Sequence, residues 1–171
     1  NAITHADARR RLSRPVVLNR NRKNNMLPPF VSQLTPPKSL DEPAYWFIFS
    51  GHNLLVYGDE QSVRVPRLYE MAELGLTAVH QQYLGYLADD APIHSYAVGI
   101  AGKHDAPAGM AFLGLRQLFG LLDETCLWLA GRAFQLIDWD RTSQYCGQCG
   151  TPNTQLKNER AKKCLHCGYI K

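Results

Sequence analysis

The feature that most restricts what this chain can fold into is the spacing of four cysteines. Cys146, Cys149, Cys164 and Cys167 form two Cys-x-x-Cys pairs separated by 14 residues. Two residues between thiols let a tight turn aim both sulfurs at one centre. Two such turns supply a tetrahedron of thiolates at about 2.3 Å, the arrangement Zn²⁺ takes in structural sites. Gly150 and Gly168 follow the pairs and Gly147 lies inside the first. A residue without Cβ lets the backbone fold back, so that its N–H groups can reach the sulfurs. The spacing predicts a two-knuckle module over residues 143–171, with Cys146, Cys149, Cys164 and Cys167 as ligands of Zn²⁺. Four thiolates leave no open position for water, so the metal is expected to be structural and His166, inside the second pair, to be exposed. A four-thiolate iron site fits the same spacing, which leaves Zn versus Fe open. A redox role is disfavoured, because it needs one pair opening a helix in a larger sheet fold.

The remaining chain is long enough to bury its own core: at 171 residues it can hide about 70% of its unfolded surface. Its charge is unevenly placed. Residues 1–38 carry eight Lys/Arg against one acid, residues 39–142 six against thirteen, and residues 143–171 five against one. The stretch 1–42 reads as a basic arm punctuated by Pro28-Pro29 and Pro36-Pro37, with structure expected to begin near Tyr45. A basic arm can bind polyanions, but it is more often a solvated end. No stretch approaches the roughly 18 uncharged apolar residues of a membrane span, and residues 6–25 lack the apolar centre of a signal peptide. With no disulfide framework in view, a reducing cytoplasm is the expected location and no membrane partner is expected.

Between the arm and the cysteines the period changes once. "YWFIFSGHNLLVYG" (45–58) predicts a hairpin turning at Ser50-Gly51-His52-Asn53, "VRV" (63–65) a short strand, and "RLYEMAELG" (67–75) a short helix closed by Gly75. "YLGYLA" (83–88) and "IHSYAVGIA" (93–101) predict a second strand pair. Leu115, Leu118, Phe119 and Leu122 then fall at helical spacing. Asp123 is a natural N-cap for a second helix whose apolar stripe is Leu127, Ala130, Phe134 and Ile137. Cys126, in its first turn, reads as a small buried hydrophobe. The fold class is α/β (α+β): a mixed or antiparallel sheet with two following helices (43–142), then the metal module.

No catalytic constellation stands out. "GIAGKHD" (99–105) lacks the spacing and the Ser/Thr of a phosphate loop. His94 on its strand reads as a satisfied or solvent-facing side chain. The pairs Asp41-Glu42, Asp59-Glu60 and Asp89-Asp90 sit beside turn residues, where carboxylates are usually solvated.

"LWLAGRAFQLIDWDRTSQYCGQCGTPNTQLKNERAKKCLHCGYIK" resembles the middle of the NADH pyrophosphatases, a branch of the Nudix hydrolase superfamily. The likeness rests on Ala130-Gly131-Arg132-Ala133, Trp139, Tyr145 (often Phe in the family) and the two Cys-x-x-Cys-Gly knuckles. "FIFSGHNLLVY", "YLGYLADD" and "FLGLRQLFGLLDE" fit the preceding domain in order. The resemblance covers about residues 43–171 and implies a degenerate Nudix-like domain joined to a zinc ribbon, with a catalytic Nudix domain expected after it. It also implies hydrolysis of the NADH or NAD⁺ diphosphate to nicotinamide mononucleotide and AMP, removal of NAD caps from RNA, a homodimer, and Mg²⁺ or Mn²⁺ in the catalytic domain. The family's Nudix box, Gly-x5-Glu-x7-Arg-Glu-φ-x-Glu-Glu-x-Gly-φ (φ apolar), carries the metal-binding glutamates, and this chain does not contain it. "RLYEMAELGL" (67–76) echoes it, but its acids are out of register and Glu73 alone cannot hold two metals. No catalytic or cofactor-binding residue carries over, only the four cysteines, and the chain alone is expected to be inactive. A rival reading is a stand-alone zinc ribbon that binds nucleic acid through Lys157, Arg160, Lys162 and Lys163, with Tyr145 and Tyr169 stacking on bases.

Overall fold

The computed structural model describes residues 29–58, 62–102 and 104–171. The Arg-rich part of the arm, the Asp59-Glu60 pair and Lys103 lie outside the described residues.

Strand β2 (Ala44–Ser50) shows why the sheet forms. Its residues AYWFIF are buried on both faces, so it reads as a continuous apolar run rather than an alternation, which marks a central strand. Tyr45, Phe47 and Phe49 point to one core, and Ala44, Trp46 and Ile48 to another on the opposite face. β2 turns through Gly51, whose φ of +59° suits a mirror-image hairpin, into β3 (Asn53–Gly58). β4 (Val63–Arg64) extends that edge, and β5 (Arg67–Leu68) pairs with β2.

The expected helix at 67–75 is a four-residue 3-10 turn (Met71–Leu74) closed by Gly75 at φ +66°. There the Glu73 carboxylate accepts hydrogen bonds from the backbone of Tyr69 and Glu70 at 2.8 and 3.0 Å. The echo of a metal-binding glutamate is thus a local cap.

β6 (Ala78–Leu87) and β7 (Ile93–Ile100) form the second expected pair, with β6 beginning five residues before the sequence signal. β7 runs parallel to β2 and joins the two hairpins into one sheet. β8 (Met110–Gly114), within a Gly/Pro-containing stretch, pairs with β3. The sheet order is β1-β6-β7-β2-β3-β4, where β1 (Phe30–Ser32) pairs antiparallel with β6. Structure therefore begins well before Tyr45. Pro29 and the Pro36-Pro37 pair, which read as part of an arm, flank an edge strand, a place where missing N–H groups are tolerated.

Of the two helices expected after the sheet, one forms. Residues 115–121 are consecutive turns, with Leu122 N–H bonded to the Leu118 carbonyl and Gly120 at φ +80°. A segment this short cannot recover the cost of nucleating a helix. Leu118 and Leu122 still bury, whereas Phe119 is 80% exposed. Helix α1 (Glu124–Thr142) starts as expected, with Asp123 Oδ1 accepting from the N–H groups of Thr125 and Cys126. Its buried stripe is Cys126, Leu129, Ala130, Ala133, Ile137 and Asp140, rotated slightly from the expected one, so that Leu127 and Phe134 flank it. This stripe covers the Phe47 face of the sheet. Among the described residues no helix is long and apolar enough to cross a membrane.

Candidate metal centre

After α1 the chain makes two copies of one local structure. In the first, Cys146 N–H bonds the Thr151 carbonyl at 2.8 Å and Gly150 N–H bonds the Cys146 carbonyl at 2.9 Å. In the second, Cys164 N–H bonds the Tyr169 carbonyl at 2.8 Å and Gly168 N–H bonds the Cys164 carbonyl at 3.0 Å. Gly150 and Gly168 adopt φ of +72° and +77°, a left-handed conformation that glycine takes without steric cost. Gln148 N–H points at the Cys146 sulfur, 3.4 Å away. Strands β9 (Asn153–Gln155) and β10 (Lys162–Cys164) pair antiparallel and bring the knuckles together.

The four sulfurs all lie within 4.8 Å of one another. Cys146 and Cys167, and Cys149 and Cys164, are 3.5 Å apart, and Cys149 and Cys167 are 3.6 Å apart. Thiolates at about 2.3 Å from a tetrahedral centre stand about 3.8 Å apart, so these four can hold one metal ion with little movement. Hydrogen bonding to the Thr151 side chain and backbone pulls the Cys149 thiol down to about 5. Cys167 is pushed up to about 12: its bond with the Tyr169 backbone lowers it, but burial and the sulfurs of Cys146, Cys149 and Cys164 outweigh that. Negative charge accumulates in such a cluster when a cation shares it. His166 is exposed, as expected.

The module is anchored to the sheet domain through polar groups. Lys162, buried on β10, places Nζ 2.5 Å from Asp140 Oδ1 and 2.9 Å from the Asp140 carbonyl, over the Trp139 ring. Asp140 Oδ2 in turn meets His80 Nδ1 at 3.0 Å. Burial raises the Asp140 carboxyl, but Lys162 and His80 outweigh it and hold the group below its ordinary value. Arg160 donates to the Gln33 and Tyr83 carbonyls at 2.7 Å and to Ser32 Oγ at 3.2 Å, and Arg132 from α1 shares that hydroxyl at 3.0 Å.

This division into a sheet and a two-knuckle module is matched by known families. Residues 43–139 match the family described as NADH pyrophosphatase-like rudimentary NUDIX domain, and residues 141–170 match the NADH pyrophosphatase zinc ribbon domain. The chain belongs to this NADH pyrophosphatase-like Nudix family. Among curated relatives, proteins named NAD-capped RNA hydrolase NudC are similar to it. That of Deinococcus radiodurans is 36% identical over 81% of this chain and 44% of its own length. That of Pseudomonas fluorescens is 31% identical over 74% and 44%. That of Stutzerimonas stutzeri is 32% identical over 64% and 38%. The chain spans under half the length of these relatives.

The structure brings Cys146, Cys149, Cys164 and Cys167, the four cysteines expected to hold a metal, into one cluster. Cys126, expected to be buried, is 5% exposed. His94 is satisfied by the Tyr83 hydroxyl at 2.6 Å. Asp140 and His80 were not singled out in the sequence, and Arg160 and Lys162 were read there as contacts to nucleic acid, not as groups that tie the module to the sheet. Two signals could have found them: Asp140 continues the stripe of Ala133 and Ile137 at helical spacing, and Lys162 shares a strand face with Cys164.

Proposed function

We propose that this chain is the N-terminal and zinc-ribbon portion of a metal-dependent NADH/NAD⁺ pyrophosphatase that also removes NAD caps from RNA. The observation that carries the reading is a four-sulfur cluster of metal-binding dimensions, following a rudimentary Nudix domain in a chain whose relatives are named NAD-capped RNA hydrolases. Zn²⁺ is the ion that four thiolates at this spacing suit best, and Cys146, Cys149, Cys164 and Cys167 are its ligands. The division is 43–142 for the Nudix-like domain and 143–171 for the ribbon, with β1 contributed by the segment before. Catalysis belongs to a Nudix domain with Mg²⁺ or Mn²⁺ outside this chain. This portion braces that domain and helps form a homodimer in the cytoplasm. Exposed Trp128, Phe119 and Leu165 supply apolar surface for such contacts. Of the four ribbon cations that a stand-alone nucleic-acid binder would use, Arg160 and Lys162 are occupied inside the molecule, which favours bracing.

Elemental analysis and an NADH cleavage assay test this reading. One zinc per chain is expected, with no cleavage by the 171-residue protein and Mg²⁺- or Mn²⁺-dependent cleavage by a longer protein carrying a Nudix box. NADH hydrolysis by the pure 171-residue chain would overturn the assignment of catalysis, and a metal-free, fully folded ribbon would overturn the zinc site.

A further inference from the structure

On the side of the sheet where α1 ends lies a cavity of about 380 Å³. It opens at the carboxyl ends of β2 and β7, the strands that run parallel. Crevices outside the carboxyl ends of parallel strands are where open α/β sheets bind ligands. The volume sits near the lower limit of small-molecule sites, which suits a nucleoside better than a dinucleotide.

Two kinds of group line it. The first is aromatic: Phe134 stands 5.5 Å from the Phe49 ring and 5.4 Å from the exposed His52 ring on the β2–β3 turn. The second is His80, whose Nδ1 lies 3.0 Å from Asp140 Oδ2. An ionised carboxylate only accepts, so Nδ1 carries the proton, and the tautomer this selects has its lone pair on Nε2. Lys162 fixes Asp140 from the other side, so the ring is held by a Lys–Asp–His chain rather than left free to rotate. Gly99 also lines the cavity, and a Cβ there would stand 3.7 Å from His80 Cδ2 and 2.9 Å from Ile137. The missing side chain leaves space beside Cδ2 of the imidazole.

The charges decide the ligand class. Arg141 at the mouth is paired with Asp138 at 2.7 Å, and the C-terminal end of α1 carries negative partial charge. Neither favours a multiply charged phosphate. We propose that the cavity binds a planar nitrogen heterocycle bearing an amine or carboxamide N–H, as in adenosine or a nicotinamide nucleoside. The ring lies against Phe134 and His52, and its N–H donates to His80 Nε2. The site belongs to the rudimentary domain and stands whether or not a longer protein hydrolyses NADH.

Titrating the ¹⁵N-labelled, zinc-loaded 171-residue protein separately with adenosine and with nicotinamide riboside tests this. Saturable shifts of the Gly51, Gly99 and Gly102 amides are expected with at least one nucleoside, and the arm that saturates first identifies the preferred heterocycle. His80→Ala should weaken binding about tenfold, the loss of one hydrogen bond. His80→Asn, which keeps an acceptor, should recover part of that. His52→Ala, at an exposed turn, should weaken binding several-fold with an unchanged melting temperature, so its result does not depend on the Asp140 network. Absence of saturable shifts with both nucleosides, or wild-type affinity in both alanine variants, would overturn the proposal.

Discussion

The sheet domain and the ribbon are held together by different physics. In the sheet, Phe47, Ile48, Leu54, Leu55, Leu84 and Leu129 are fully buried, and two apolar cores sandwich the central strands. In the ribbon, the buried residues are Ser143, Cys146, Lys162 and Cys164, while Tyr145, Leu165 and Ile170 are exposed. A module this small cannot bury enough apolar surface to offset its chain entropy, and in the proposed function metal coordination takes the place of a core. The comparison teaches that one chain can join, through a buried ion pair, a region with two apolar cores and a region whose buried groups are thiols and polar side chains.

Removing the metal should separate the two regions most sharply. A chelator, or Cys146→Ser, is expected to unfold residues 143–171 while the sheet keeps its amide dispersion, since structural thiolate sites contribute on the order of 10 kcal/mol. Loss of the sheet signals at the same chelator concentration would break the distinction. Leu129→Ala should do the reverse. Deleting a fully buried leucine costs about 3–4 kcal/mol in denaturant unfolding of the sheet, with metal content unchanged. Lys162→Met acts on the joint. It leaves Asp140 facing His80 without its ammonium, and a loss of about 3 kcal/mol is expected by urea denaturation of the metal-loaded protein. The double variant with Asp140→Asn should recover part of that loss. Asp123→Ala removes the cap of α1 and should lower stability by about 1 kcal/mol, read as a small drop in melting temperature.

The smallest effect is on reactivity and not on stability. Burial pushes the Cys126 thiol up from 9.0 to about 12, so at pH 9 it stays protonated where an ordinary thiol is half ionised. Iodoacetamide at that pH should leave Cys126 unmodified in the native protein and label it after unfolding, as mass spectrometry of peptides would show. Rapid native labelling would mean that this end of α1 opens readily.

The clustering of the ribbon's cysteines was more legible than the sheet because two Cys-x-x-Cys pairs recur at fixed short spacing, whatever the tertiary context. β2 was legible for a related reason: six consecutive apolar residues leave no exposed face. The turns at 115–121 misled because helical spacing of Leu115, Leu118 and Leu122 can be satisfied by successive turns that bury Leu118 and Leu122 and half-bury Leu115. The joint was hidden differently. Arg160 and Lys162 look like solvated loop cations, and their carbonyl and carboxylate partners lie on strands and a helix far away in the chain. A buried charge declares itself in sequence only where it interrupts an apolar period, as Asp140 does.

The edge strand β1 has a consequence for how the protein behaves in a crowd. It packs so closely on β6 that a side chain at Gly85, whose φ is +126°, would collide with the Val31 carbonyl. Yet Phe30–Ser32 lies before the 43–139 family match, so a chain trimmed to that match would lose it. β6 would then be the rim of the sheet, with unpaired N–H and C=O groups beside buried Leu84 and Leu87. Such a rim is a template for any extended segment of a neighbouring molecule. Three residues that read as tail cover the hydrogen-bonding edge of β6.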